Sequence, residues 1–131
     1  MKKDITDIND IRLLVDTFYQ SVIQDDVISY FFTRIVKLDF DQHLPTMYRF
    51  WETVLLKQAS YQGNPVTKHL ELHQKEPLKE YQFDRWIALW NATVDQYFEG
   101  KIANEAKQKA DTMRQLMLAK IKFMDNPGAI Q

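Results

Sequence analysis

Cysteine is absent from the 131 residues. That removes a disulfide framework, thiolate metal sites and a cysteine nucleophile. Neither charge dominates: 17 Lys plus Arg stand against 18 Asp plus Glu, for a formal net charge of −1. A dedicated nucleic-acid binder would show a basic excess or stripe, so a nucleic-acid partner is not expected. No apolar run approaches the roughly 20 residues that a membrane-spanning helix needs. The opening MKKDITD lacks the apolar stretch of a secretory signal. The expectation is a soluble, cytoplasmic protein with no membrane partner. The phosphate-cradling patterns GxxxxGK[ST] and GxGxxG are missing, and so is a nucleophile elbow. No repeat, low-complexity stretch or shift in composition suggests a linker.

Glycine and proline are few: Gly63, Gly100 and Gly128, with Pro45, Pro65, Pro77 and Pro127. They read as punctuation between helices. Hydrophobic residues make up 45% and charged residues 27%, a globular balance. The length suits one domain, 1–131, able to bury roughly two-thirds of its unfolded surface.

Strand-like alternation is weak, whereas helical spacing recurs. Ile11, Leu14, Val15, Phe18 and Val22 form one face of a first helix, with Asn9 or Asp10 offered as N-cap. Asp25-Asp26 interrupts it, and Val27 to Ile35 reads as a short apolar helix or turn. A further helix should begin after Asp39 or Asp41, because Pro45 belongs in a first turn. Its stripe is His43, Met47, Phe50, Trp51 and Val54. Asn64-Pro65 resembles an N-cap followed by a first helical position, opening a short helix with His69. A longer helix spans Leu78 to Glu99, with Phe83, Trp86, Ile87, Trp90, Val94 and Tyr97 on one side and Gly100 as its stop. The last runs from about Ile102 to Met124. The chain reads as all-α, with five or six helices.

Three histidines are the main carriers of chemistry. A carboxylate di-iron site needs Glu-x-x-His on two helices. Asp41-x-His43 has the wrong spacing and no second copy. His69 and His73 sit at i and i+4, a spacing that can chelate a metal. Leu70 stands where a zincin carries Glu, and no third ligand is evident, so the pair reads more simply as a solvated helix end. Tyr19, His43 and Trp86 bring hydrogen-bond donors to apolar faces. Aromatic stripes are usually just core. Three donors converging in a dry pocket would nevertheless lower stability unless something there accepts them.

The order and spacing of several pieces resemble the truncated haemoglobins, most closely their third group. These pieces are Phe18-Tyr19, Phe31-Phe32, His43 with Phe50-Trp51, and Val54-Leu55-Leu56. They continue through Tyr61-x-Gly-x-Pro65-x-x-x-His69-Leu70 and Phe83-Asp84-x-Trp86-x-x-Leu89-Trp90. The likeness runs from about Ile8 to Met124, and the paired-glycine loops of the other two groups are missing.

This resemblance implies a two-over-two helical sandwich enclosing haem b. It makes His69 the proximal iron ligand, its other ring nitrogen bonded to a backbone carbonyl. Tyr19, His43 and Trp86 would face a diatomic gas (oxygen, nitric oxide or carbon monoxide) on the distal side. Phe31, Phe32, Met47, Phe50, Trp51, Leu70 and Trp86 would line the haem. Oxygen on ferrous iron gathers negative charge, so aimed donors stabilise it more than carbon monoxide. Thr46 stands where many relatives carry a basic residue near a propionate, which leaves Lys68, Arg49 or Arg85 for that pairing.

The function implied is oxygen binding, storage, transport or sensing, with no catalytic residue assigned. A second class is a haem enzyme consuming nitric oxide or peroxide, which needs an external electron donor such as a reductase. A third is a helical interaction module without cofactor. A monomer or weak dimer is the expected assembly.

Overall fold

The computed structural model describes residues 2–35 and 37–125. Pro127 and Gly128, named above as punctuation, lie outside the described residues. Five α-helices follow in order: α1 (Ile8–Gln24), α2 (Phe40–Leu56), α3 (Pro65–Lys75), α4 (Glu80–Tyr97) and α5 (Lys101–Asp125). Between α1 and α2 the chain makes a π-helical turn at Phe31–Ile35. No strand forms among the described residues. No described helix is long and apolar enough to cross a membrane.

Asp7, not Asn9 or Asp10, caps α1 by accepting the Asp10 N–H. The Asp10 carboxylate is engaged elsewhere: it takes the Thr6 N–H at 2.9 Å and pairs with Lys3. One more turn of helix results. The inward face of α1 is the expected stripe of Ile11, Leu14, Val15, Phe18 and Val22, joined by Tyr19.

Asp39 caps α2, which therefore starts at Phe40 and puts Pro45 inside the helix. The expectation of a first-turn proline is thus corrected. Proline has no N–H, so the Asp41 carbonyl lacks its usual ladder bond in the second turn.

Asn64 accepts the Thr67 N–H at 3.2 Å, and Pro65 opens α3 as the sequence suggested. Helix α4 is shorter than read: it ends at Tyr97, with Phe98 extended. There Lys3 bridges to Phe98, and the Asp4 carboxylate reaches over to α5, accepting Ile102 N–H at 2.9 Å and Ala103 N–H at 2.8 Å. The first turn of α5 is capped from 98 and 99 residues away.

Helix α1 packs on α2 and α4, while α5 packs on α4, α3 and α2. This is the two-over-two sandwich of a truncated globin. Its main core joins Ile11, Leu14, Val15 and Phe18 of α1 to Trp51 and Leu55 of α2, Trp90 and Val94 of α4, and Ala103, Ala106 and Ala110 of α5. The small alanines let α5 approach closely enough for the Trp90 indole N–H to donate to the Ala106 carbonyl at 3.1 Å. A second cluster, Phe83, Met117, Leu118 and Ile121, receives Val66 and Leu70 from α3.

Candidate functional site

Tyr19 is buried on α1, and its hydroxyl lies 2.7 Å from His43 Nε2 on α2. The two rings meet edge to face, with centroids 5.1 Å apart. Burial pushes the Tyr19 phenol well above its ordinary range, so it stays protonated. Burial, helped by the charge His69 would carry, lowers His43 to about 4. Both partners are therefore neutral at pH 7.

His69 is half-buried on α3, and its Nδ1 lies 2.7 Å from the Pro65 carbonyl. A carbonyl only accepts, so Nδ1 carries the proton and Nε2 keeps its lone pair. Burial lowers the His69 pKa, and the bond to Pro65 opposes this only in part. The result is a neutral imidazole held by one nitrogen, with the other free to bind a metal.

His73 is different. It is buried, its Nδ1 accepts the Leu78 N–H at 2.9 Å, and its Nε2 donates to Asp125 Oδ1 at 3.0 Å. The expectation of a solvated helix end is corrected: His73 does close the end of α3, but as a buried clamp. Both of its nitrogens are occupied, so it cannot join His69 as a ligand without breaking a bond. Among the described residues, no group of three or more His, Cys, Asp or Glu is placed to hold a metal ion.

Trp86 is half-buried on α4 and meets the Tyr19–His43 pair only through Phe18, at a centroid distance of 6.1 Å. It makes no direct hydrogen bond to Tyr19 or His43. Phe32 packs edge-on against Tyr19 at 6.3 Å, and Phe31 sits behind Phe32 at 6.5 Å. Trp51 stacks between Phe50 at 5.1 Å and Trp90 at 4.4 Å, deep in the main core. Met47 is half-buried against that core, whereas Leu70 belongs to the second cluster. The candidate residues thus divide between a Tyr19–His43 side and an α3 side.

Of the three basic groups considered for an acidic ligand, Arg85 is taken. Its Nε and Nη2 donate to Asp25 Oδ1 at 2.8 and 2.5 Å. Arg49 and Lys68 are exposed and make no ion pair among the described residues.

Sequence reasoning missed Phe40, which packs on the Tyr19 ring at 5.8 Å. It stands one turn before His43 on α2, and that spacing was the available signal. Tyr48 was missed as well. Its hydroxyl donates to Asp16 beside a cleft of about 410 Å³ between α1 and α2. Tyr19 lines this cleft, but His43 and His69 do not.

No protein-family model matches the chain. The chain is 25% identical over 113 residues to a group 3 truncated haemoglobin from Campylobacter jejuni, covering 84% of this chain and 87% of that one. The crystal structure of a group III truncated haemoglobin from Campylobacter jejuni superposes with a TM-score of 0.81 at 22% identity. That match covers 92% of this chain and 95% of the other. Sequence similarity and fold point the same way: this chain has the truncated-globin fold and is similar to the group III truncated haemoglobins.

Proposed function

We propose that residues 1–131 form one truncated-globin domain that binds haem b and holds a diatomic gas, oxygen foremost, at ferrous iron. The observation that carries this reading is the state of His69. Its proton is fixed on Nδ1 by the Pro65 carbonyl at 2.7 Å, which leaves the Nε2 lone pair to bind a metal. A neutral imidazole with a bare Nε2, together with the neutral Tyr19 and His43, is a donor set that would fit haem.

The haem, when bound, supplies the iron at which the gas is held. His69 Nε2 is the protein's ligand to it, and the Pro65 carbonyl fixes the ring's tautomer and raises its basicity. Tyr19 and Trp86 would offer an O–H and an N–H to a bound gas that gathers negative charge. Each such bond contributes about 1 kcal/mol, rising to roughly 1.5–3 where the acceptor is charged. That preference favours oxygen over carbon monoxide. His43 controls access, held by Tyr19 when the site is closed. Phe31, Phe32, Met47, Phe50, Trp51 and Leu70 supply the apolar wall that keeps water out. With Arg85 bound to Asp25, Arg49 and Lys68 are the cations left for the propionates.

The test is reconstitution of the protein with haem, followed by absorption in the Soret region. His69→Ala should lose stable haem or leave an iron that added imidazole occupies. An unchanged spectrum in that variant without imidazole would sink the assignment.

A further inference from the structure

Helix α3 carries His69, yet no apolar side chain of its described residues is fully buried. Val66 and Leu70 are half-buried against Phe83, Met117, Leu118 and Ile121. The one buried side chain described on α3 is the polar His73, 8% exposed.

A backbone N–H only donates, so the Leu78 N–H at 2.9 Å leaves His73 Nδ1 without a proton. The ring proton is then on Nε2, which donates to Asp125 Oδ1 at 3.0 Å. Leu78 lies just before α4, and Asp125 is the last residue of α5. One imidazole therefore ties the end of α3 to two other helices. His69 and His73 are one turn apart on the same face, separated by about 6 Å of helix rise. The clamp therefore holds the C-terminal end of the helix from whose backbone the His69 ring projects.

We propose that His73 is a positioning residue for His69: its clamp on Leu78 and Asp125 sets the direction in which His69 Nε2 points. The proposal rests on the reading of His69 as iron ligand. His73 itself touches neither iron nor gas, and haem still binds without it. Its effect would be on how the His69 ring is presented to the iron.

The experiment has one arm without haem and one with it. In the haem-free protein, hydrogen exchange at the Leu78 amide should rise about fivefold or more in His73→Phe, which removes its acceptor, and less in Asp125→Ala, which removes only the Nε2 partner. In the haem-loaded ferrous protein without gas, the iron–histidine stretching band should shift and broaden in both variants. Asp125→Asn keeps an oxygen that accepts from Nε2–H, so it should restore the wild-type band. Ile121→Val loosens the second cluster without touching the clamp, and should lower the melting temperature while leaving the band in place. Faster Leu78 exchange with an unmoved band would overturn the proposal, leaving His73 as a helix-end clamp alone. If the wild-type protein shows no iron–histidine band, the assignment of His69 falls, and the positioning role with it.

Discussion

The Tyr19 hydroxyl and His43 Nε2 stand 2.7 Å apart although 24 residues separate them in the chain. Helix α1 supplies the phenol and α2 the imidazole, so the packing of these two helices decides whether the bond exists. It holds His43 inward, near a helix start that Pro45 has deprived of one ladder bond. A ligand that engages the Tyr19 hydroxyl has to compete with His43 for it.

Tyr19→Phe should therefore do two things. Oxygen dissociation should speed up about fivefold or more if about 1 kcal/mol of hydrogen bonding is lost. Carbon monoxide association should rise too, because His43 is released. Trp86→Phe should raise the oxygen off-rate alone, and His43→Ala chiefly the carbon monoxide on-rate. Stopped-flow and flash photolysis separate these effects. The division of labour fails if His43→Ala gives the largest oxygen off-rate while the other two leave it unchanged.

Asp25 is buried where α1 ends, and it accepts from Val27 N–H at 3.0 Å, Ile28 N–H at 3.1 Å and the Arg85 guanidinium. Asp25→Ala should lower stability by about 2 kcal/mol, since it removes an ionised acceptor from several donors at once. Arg85 is 44% exposed and can turn to water, so the loss stays below that of breaking a fully buried pair. Urea unfolding of the two proteins measures the difference.

Acid should weaken the fold through three carboxylates. The Arg85 guanidinium holds Asp25 below its ordinary value of 3.8, outweighing burial. Burial pushes Asp4 up, but the N–H groups of Ile102, Ala103 and Ile5 outweigh it and the net shift is downward. Asp10 is likewise raised by burial and brought lower overall by Lys3 and Thr6. A carboxylate lowered in the folded state contributes its full stability above the unfolded value and loses it as pH falls through the folded one. Urea midpoints should be flat in this respect above about pH 5 and drop below about pH 4. Asp25→Ala should flatten the acid limb, and an unchanged limb would remove Asp25 from this account.

Gly100 has φ +138°, and a Cβ there would lie 2.6 Å from Asp4 Cγ. Gly100→Ala should destabilise the protein by about 1–3 kcal/mol, from backbone strain in a region few residues adopt and from displacement of the α5 cap. Combining it with Asp4→Ala removes the collision but not the strain. The double variant should therefore stay less stable than Asp4→Ala alone in thermal unfolding.

Much of the fold is legible in the chain because helices are local. The α1 stripe from Ile11 to Val22, the Asn64-Pro65 start of α3 and the Asp39 cap of α2 all rest on residues two to four places apart. His69 belongs to this class: its Nδ1 partner is the carbonyl four residues earlier, so spacing and backbone geometry suffice. Helix ends were less legible. Asp7 displaced Asn9 as the cap of α1 because Asp10 was drawn to Thr6 and Lys3, a competition that periodicity does not register.

The sequence by itself determined an all-α chain, the stripes that face inward, and the identity of the three donor-bearing residues Tyr19, His43 and Trp86. Tertiary structure alone decided which of them touch. It joined Tyr19 to His43, kept Trp86 one ring away behind Phe18, bound Arg85 to Asp25 across 60 residues, and turned His73 from an apparent surface histidine into a buried clamp on Asp125. The reason lies in the range of the forces. Helix hydrogen bonds and amphipathic stripes are satisfied within a few residues, whereas a polar partner for a buried ring is supplied by whichever helix the packing brings alongside.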